Sequence, residues 1–488
     1  MRPDPLHFPA EFPYAEVTFE DYQAEDIDEF TRRFAEDGDL ATFCTWEQGL
    51  GKSLLALHVG RRLGFEKFLI LCPPIGLTSW KEQVAEWRPG SQPLFVDRST
   101  KIRQITPTTD VLVVTHDLTR NDAVRTAVRE WATDAFCTVD EVQYLRTPSA
   151  QRTGAIYAAD IGCLSHAPKV LLMSGTPVVS WPTDLWAHLA RWWPDRIRNA
   201  RGERMTYDEF RDRYLLTEMV PIPGTHQKRL RVKQARDGSK GTEDMISELR
   251  QRLDGLAIRR LKTETNLPPL RWMNMRIELA PKDREALNQE IMDHLPSRLQ
   301  NMAARLVQNP DDQDLADKFL GELEVYREHY GVIMRAQGVA KATAFTRHMR
   351  DEMNNTRHAI LVFALNRSVL NMIEQGLDSF GVVRIDGSTG QTERERVVRA
   401  FQDPDGPRVF LGQTLACSSS LTLTRASRVY FPQMSPTPGD NEQAASRCHR
   451  KGQTNPVDAH IIFAAGTIDE PMSKRRRAKQ STTEKLIG

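Results

Sequence analysis

Short apolar runs recur along the first part of the chain, and stretches with helical spacing lie between them. Each run is four or five residues long and is bounded by turn residues. The runs lie at 68–72, 111–115, 136–139 and 169–173. Amphipathic stretches separate them, for example at 78–87 and 122–131. Strands that are apolar on both faces and alternate with helices predict a parallel sheet covered on both sides.

A different pattern follows this part of the chain. A basic stretch that contains Gly and Ser, at 228–241, precedes long helical runs through 243–262 and 282–335. Pro268 and Pro269 interrupt the helical pattern, because proline lacks a backbone donor and clashes with the preceding turn. We therefore predict a middle segment that is mostly helical.

The alternation of apolar runs and helices returns nearer the C-terminus. These runs lie at 359–363, 382–385, 408–411, 428–431 and 460–463. The whole pattern predicts an α/β fold with two lobes that contain parallel sheets, at 1–200 and 341–488. A helical insertion and linker at 201–340 would join them.

Composition narrows the classes of protein and partner. The chain has 488 residues and a formal net charge of +1, so a nucleic acid would have to be held by local basic patches. The six cysteines include no CxxC pair, which argues against a zinc site and favours reduced thiols. No apolar run approaches the roughly 20 residues that span a bilayer, and no signal peptide follows Met1. We predict a cytoplasmic, nucleoid-associated protein.

A glycine-rich loop that begins at Trp46 has the composition of a phosphate-binding loop. Gly49 and Gly51 remove side chains where the backbone must curl and present its N–H groups to phosphate oxygens. Lys52 would reach the β- and γ-phosphates of ATP, and Ser53 would place a hydroxyl on Mg²⁺. Trp46 occupies the position at which the strict pattern has glycine.

Two carboxylates and a small polar turn follow predicted strands. Asp140 and Glu141 end the run at 136–139, and an acid at the carboxyl end of a parallel strand can hold Mg²⁺. Glu141 could accept a proton from the attacking water. Ser174 and Thr176 follow the apolar run at 169–173 and could connect the nucleotide pocket to another surface. The alternatives are a helix N-cap for the acidic pair and a simple turn for the hydroxyl residues.

Two arginines near the C-terminus complete the candidate chemistry. Arg447 and Arg450 are three residues apart, so on a helix they would share one face. A planar guanidinium matches phosphate oxygens, and one supplied across a cleft stabilises charge on the γ-phosphate. A solvated basic helix face is the alternative. Together with the phosphate loop, these arginines predict that both lobes contact ATP.

The motifs resemble those of the Swi/Snf-type DNA translocases of helicase superfamily two, over nearly the whole chain. Residues 443–453 match the pattern Gln-x-x-x-Arg-x-x-Arg-x-Gly-Gln at every defined position. Gln23 resembles the adenine-reading glutamine of that family, and residues 384–389 resemble its Leu-Asp-Gly-Ser segment. Residues 338–341 resemble the entry into the second lobe of members that anneal or remodel forks. The resemblance implies two RecA-like lobes, ATP and Mg²⁺ as cofactors and a compact bacterial or phage-type member.

The same resemblance assigns coupling and DNA-binding roles. Coupling of hydrolysis to movement would involve Gln143, Ser174, Thr176 and Gln443. Nucleic-acid contacts would come from Pro73, Trp80, Thr115, Thr414 and Ser418. Gln143 replaces the usual histidine, so the coupling of hydrolysis to movement would differ from that in relatives. Serines near Ser418 replace a glycine-rich turn, so DNA binding by the second lobe would differ as well. Basic stretches at 228–233 and 474–477 are candidate additions to the DNA surface or are solvated faces.

These observations predict an ATP- and Mg²⁺-dependent motor that moves along duplex or forked DNA through backbone contacts without sequence preference. It would remodel DNA or protein–DNA complexes. The first alternative is a helicase that separates strands of DNA or RNA, which needs a wedge element. The second is a nucleotide-gated DNA-binding scaffold with weak hydrolysis, which the replacement at Gln143 would favour.

Overall fold

The computed structural model divides the chain into two compact units. It describes residues 19–74, 76–178, 181–221, 228–236, 238, 244–323, 327–417, 421–435 and 438–473. The first unit contains the chain up to Leu216 together with Gln234–Glu264. The second contains the described residues of Thr217–Lys233 and those from Thr265 to Ser473.

Strands and helices alternate along the first unit. They are α1 (Asp21–Ala35), β1 (Ala41–Cys44), α2 (Lys52–Arg62), β2 (Lys67–Cys72), α3 (Gly76–Trp87), β3 (Pro93–Val96), β4 (Val111–Thr115), α4 (Asp122–Trp131), β5 (Ala135–Val139), α5 (Gln151–Tyr157), β6 (Lys169–Met173), α6 (Trp186–Trp192) and α7 (Tyr207–Tyr214). A two-stranded sheet of β7 (Leu215–Pro221) and β8 (Lys228–Ala235), most of which belongs to the second unit, comes next in the chain. Helix α8 (Met245–Leu253) and strand β9 (Ala257–Ile258) then belong to the first unit again.

Seven parallel strands form the sheet of the first unit, in the order β3-β4-β2-β5-β6-β1-β9. Strands β1, β4 and β5 are buried along their whole length, which fits a sheet covered by helices on both faces. Gly60 lets α2 approach the sheet closely, since an added Cβ would lie 2.5 Å from Phe68 and 2.8 Å from Phe136. The predicted first lobe with a parallel sheet is confirmed.

The second unit is also built from parallel strands and helices. Its elements are β10 (Leu270–Ile277), α9 (Pro281–His294), α10 (Ser297–Gln308), α11 (Gln313–Leu323), α12 (Arg327–Asn355), β11 (Ile360–Ala364), α13 (Arg367–Leu377), β12 (Val382–Ile385), α14 (Gln391–Gln402), β13 (Val409–Gln413), β14 (Arg428–Phe431), α15 (Pro438–Ala445) and β15 (Val457–Ala464). The strand order is β10-β15-β14-β11-β13-β12, with every pair parallel. The prediction of two α/β lobes is therefore confirmed.

The middle of the chain differs from its sequence prediction in two places. Helix α8 ends at Leu253 rather than continuing to residue 262, because Gly255 adopts a φ of 75° just beyond its end. The residues after Pro269 form the edge strand β10, which pairs with β15 over eight residues. Residues 201–340 are divided between the two units, and their limits as a separate segment remain a prediction.

Three properties of the described residues bear on the earlier predictions. All six cysteines are free and buried. No group of three or more His, Cys, Asp or Glu side chains in these ranges could hold a metal ion. None of the described helices has the length and apolar character needed to cross a membrane.

A buried ion pair fastens α12 to the end of β15. The Lys341 ammonium donates to Oδ2 of Asp469 at 2.8 Å and to the carbonyl of Ile462 at 2.9 Å. Lys341 is 3% exposed and Asp469 is 1% exposed. The same Asp469 oxygen accepts the backbone N–H of Ala464 at 3.0 Å. Since a buried charge is costly without its partner, the pair holds these elements together.

We predict that Lys341→Met lowers the free energy of unfolding of the second unit by about 3–5 kcal/mol, because the Asp469 carboxylate stays buried without its cation. Hydrogen exchange of amides in α12 and β15 would measure the loss. Arg276→Ala, which removes an exposed pair with Glu278, should leave exchange nearly unchanged. Equal effects of the two substitutions would contradict the assignment.

Candidate nucleotide site

The loop between β1 and α2 has the tight curvature expected of a phosphate-binding loop. Gly49 and Gly51 adopt φ angles of 88° and 96°, which other residues rarely take. A Cβ on Gly51 would lie 2.6 Å from Nε2 of Gln23. Glycine is therefore required at position 51 for its backbone angle and for the space that Gln23 occupies.

Lys52 is held within the curve of this loop. Its ammonium donates to the carbonyls of Trp46 at 2.8 Å and Glu47 at 3.2 Å. Its charge acts to lower the pKa of Asp140 against the opposing effect of burial. The cation predicted to meet phosphate thus lies near the predicted metal-binding carboxylate.

The side chain of Trp46 fixes the start of the loop, whereas a glycine at this position would leave the backbone less restrained. The side chain is 0% exposed, and its indole N–H donates to Oδ2 of Asp26 at 2.8 Å. Arg260 donates to both oxygens of the same carboxylate, at 2.9 and 2.7 Å. The sequence did not reveal that Asp26 pairs with Arg260, because the two residues are far apart in the chain and belong to no shared motif.

Gln23, which is predicted to read adenine, and its neighbour Tyr22 also contact this loop. The Tyr22 hydroxyl and Nε2 of Gln23 each donate to the carbonyl of Leu50 at 2.9 Å. The other end of the Gln23 amide accepts the backbone N–H of Glu20 at 3.1 Å. Burial, with the charge of Glu20, raises the pKa of Tyr22 to about 12, so its hydroxyl stays a donor. Adenine recognition by Gln23 remains a prediction.

Asp140 and Glu141 lie directly after β5. Oδ2 of Asp140 accepts the indole N–H of Trp80 at 2.8 Å, and Oδ1 accepts the backbone N–H of Glu141 at 3.0 Å. Burial and the charge of Glu141 raise the pKa of Asp140. Glu141 has a φ of 50°, the one positive φ among the described residues other than glycine. Such a conformation costs about 1–3 kcal/mol and is concentrated at functional sites.

A polar relay joins Glu141 to the turn after β6. Nε2 of Gln143 donates to Oε2 of Glu141 at 2.6 Å, and Oε1 of Gln143 accepts the Ser174 hydroxyl at 2.7 Å. Oγ of Ser174 also accepts the backbone N–H of Thr176 at 3.0 Å. An amide donates at one end and accepts at the other without titrating. The glutamine that replaces histidine therefore connects the two motifs in a neutral form.

In the second unit, Arg447 and Arg450 do not lie on a regular helix as predicted. Helix α15 ends at Ala445, and both arginines lie in the turns that follow it. Nε of Arg447 donates to the carbonyl of Gln443 at 3.0 Å. Folding back of this segment ends the helix, because the carbonyl of Arg447 accepts the backbone N–H of Leu423.

Arg450 is surrounded by neutral oxygen acceptors. Its Nη1 donates to the carbonyl of Leu421 at 3.1 Å and to the hydroxyl of Thr422 at 3.2 Å. Within the described part of the chain, Arg450 forms no ion pair with a carboxylate. Burial lowers the pKa of this arginine. A half-buried cation with neutral partners favours an anionic ligand.

Gln453, the last residue of the same motif, stabilises these turns. Its Nε2 donates to the carbonyls of Thr424, Ala426 and Cys448 at 2.9–3.1 Å. Its Oε1 accepts the backbone N–H groups that follow it, those of Thr454 and Asn455. Sequence reasoning noted Gln453 only as part of the motif, and the structure shows that it fixes the backbone around the arginines.

The side chains predicted to contact nucleic acid are buried wherever the structure describes them. They are Pro73, Trp80, Thr115 and Thr414. Each follows or ends a strand except Trp80, which points from α3 into the core and is 1% exposed. DNA contact at these four positions remains a prediction, and the burial of the side chains favours contact through the backbone around them. Ser418 and the basic stretch at 474–477 lie outside the described residues.

Comparison with protein families identifies the chain. The SNF2-related domain matches residues 20–335, and the helicase conserved C-terminal domain matches residues 340–452. The chain belongs to the SNF2-related family. The Swi/Snf relationship predicted from the motifs is thereby confirmed.

The similar proteins are longer than this chain. The bovine (Bos taurus) DNA annealing helicase and endonuclease ZRANB3 is 26% identical over 456 residues, which cover 91% of this chain and 38% of that protein. The SWI/SNF-related matrix-associated actin-dependent regulator of chromatin subfamily A-like protein 1 homolog of Caenorhabditis elegans is 27% identical over 457 residues, 90% of this chain and 58% of that one. This SNF2-related chain thus spans less than two thirds of either relative.

A solved structure is similar along nearly the whole chain. The Sulfolobus solfataricus SWI2/SNF2 ATPase core in complex with dsDNA is 18% identical and has a TM-score of 0.43, with 98% of both chains covered.

We predict that Gly51→Ala weakens ATP binding by at least about tenfold, because its Cβ would displace the Gln23 amide and strain the loop. Isothermal titration with ATP would measure the change. Gly64→Ala is the matched control, since Gly64 has a φ of 81° but nothing within 4 Å of an added Cβ. It should lower stability slightly and leave ATP affinity unchanged. Wild-type affinity in Gly51→Ala would contradict the predicted role of this loop.

Proposed function

We propose that this chain is a DNA-dependent ATPase that moves along duplex or forked DNA. The observation that carries the proposal is the convergence of three strand ends in the first unit. Strands β5, β6 and β1 are adjacent and parallel, so their carboxyl ends share one edge of the sheet, where such folds bind ligands. The phosphate loop, Ser174 and the pair Asp140–Glu141 follow these three ends.

The hydrogen bonds of this edge support one hydrolytic site. The backbone N–H of Ser174 donates to the carbonyl of Cys44, the last residue of β1, at 3.1 Å. Gln143 then joins Ser174 to Glu141. Lys52 would neutralise the β- and γ-phosphates, and Glu141 would orient and deprotonate the attacking water.

The residues at this edge also fit Mg²⁺. The hydroxyl of Ser53 and the carboxylate of Asp140 are hard oxygen donors, and proteins usually hold Mg²⁺ through one or two carboxylates together with substrate phosphates. We propose that these two residues hold the ion. When bound, it would neutralise charge that develops on the phosphate oxygens. The raised pKa of Asp140 fits this role, since its carboxylate is held in a setting that favours an added cation.

We further propose that Arg447 and Arg450 act on the γ-phosphate, that Gln443 couples this motif to movement and that Gln23 contacts adenine. The setting of Arg450 supports its role, since the side chain is half-buried and its hydrogen-bond partners Leu421 and Thr422 are neutral. A guanidinium in such a setting gains more from a phosphate than one in water does.

DNA is the proposed partner because relatives named for annealing DNA match 91% of this chain. Remodelling of forked DNA is the finer proposal, and it is supported by the resemblance of residues 338–341 to the second-lobe entry of family members that anneal or remodel forks. The intact connection through Gln143 supports hydrolysis over the alternative of a scaffold with weak turnover. A strand-separating activity on DNA or RNA is an outcome that the experiment below distinguishes.

We predict that duplex or forked DNA raises phosphate release from ATP by at least about tenfold, while single-stranded DNA and RNA raise it less. Lys52→Ala should abolish release on every nucleic acid, since the β- and γ-phosphates lose their cation. A steady-state phosphate assay with this panel, joined to a strand-displacement assay, would measure both. Preferential stimulation by RNA would overturn DNA as the partner, and wild-type turnover in Lys52→Ala would overturn the site.

A further inference from the structure

Trp80 holds the carboxylate of Asp140 from a different element of the fold. It lies in the middle of α3, is 1% exposed and donates its indole N–H to Oδ2 of Asp140 at 2.8 Å. It packs in the same hydrophobic core as Val84 of α3 and Cys72 at the end of β2. Its bulk and burial therefore keep the indole in one position.

The chemistry of the indole limits what this contact can do. An indole N–H is a donor only, so Trp80 cannot bind a cation or remove a proton. It restrains the rotation of the Asp140 carboxylate, because the other oxygen already accepts the backbone N–H of Glu141. Partners that orient a metal ligand in this way strongly affect metal affinity.

The segment around β2 and α3 contacts Asp140 in a second way. The backbone N–H of Asp140 donates to the carbonyl of Leu71 in β2 at 2.8 Å. Backbone and side chain of Asp140 are thus held by two elements that are consecutive in the chain. A shift of α3 relative to β5 would change the position of Oδ2 through Trp80 alone, since the Leu71 contact belongs to the sheet.

We propose that Trp80 is a positioning residue that fixes the Asp140 carboxylate for Mg²⁺ and connects α3 to the metal site. This inference rests on the proposed binding of Mg²⁺ by Asp140. This role is different from the DNA contact that the sequence predicts for Trp80.

The test is the affinity of the full chain for Mn²⁺ in the presence of saturating ADP, measured from the electron paramagnetic resonance signal of free Mn²⁺. Trp80→Phe removes the N–H and keeps an aromatic ring, and it should weaken Mn²⁺ binding by about 10-fold or more. Trp87→Phe is the matched control on the same helix, because its indole N–H donates to the Gln83 side chain instead. It should leave Mn²⁺ affinity unchanged.

Trp80→Leu separates the hydrogen bond from packing. Both Trp80 variants should lose Mn²⁺ affinity to the same extent, while the thermal unfolding midpoint should fall further for leucine than for phenylalanine. Wild-type Mn²⁺ affinity in a folded Trp80→Phe protein would overturn the inference, as would a loss that follows side-chain volume. Asp140→Ala is measured in parallel, and retention of Mn²⁺ binding by that variant would instead overturn the proposed metal site.

Discussion

The curled backbone of the phosphate loop is the constraint on which the rest of the site depends. Ordering a residue costs about 1–2 kcal/mol of conformational entropy, and two positive φ angles restrict this loop further. The chain holds it from several sides. Tyr22 and Gln23 share the Leu50 carbonyl, and Trp46 is fixed to Asp26. A tryptophan is accepted at the glycine position of the motif because its side chain is buried in the core.

The sheet order then brings the catalytic groups to the loop. Because β6 lies between β1 and β5, the turn at Ser174 contacts Cys44 at the end of β1 on one side. On the other side it contacts Gln143, which follows β5. Gln143 fills this connection with a neutral amide, whose hydrogen bonds do not change with pH as those of a histidine would. Asp140, Glu141, Gln143 and the turn at Ser174, to which we assign metal binding, water activation and coupling, are thus joined by hydrogen bonds beside the loop.

The local pattern of apolar residues in the sequence predicted most of the strands and the candidate functional residues that follow them. Strands β4 and β6 match their predicted limits, because short apolar runs bounded by turn residues are typical of buried strands. Strand β10 was missed because an edge strand alternates polar and apolar residues and follows two prolines. The end of α15 was missed because it depends on a hydrogen bond that the backbone N–H of the distant Leu423 donates to the carbonyl of Arg447. The role of Trp80 also required tertiary structure, since sequence gives a side chain's position in a motif but not the direction in which it points.

The central claim is that the strand ends of the first unit form a site in which Glu141 activates water for ATP hydrolysis. Single-turnover phosphate release by Glu141→Gln, measured together with ATP affinity, tests it most directly. The substitution keeps the size of the side chain and removes its basicity. We predict wild-type ATP affinity and phosphate release slowed by about 10²- to 10⁴-fold. Release at the wild-type rate would contradict it.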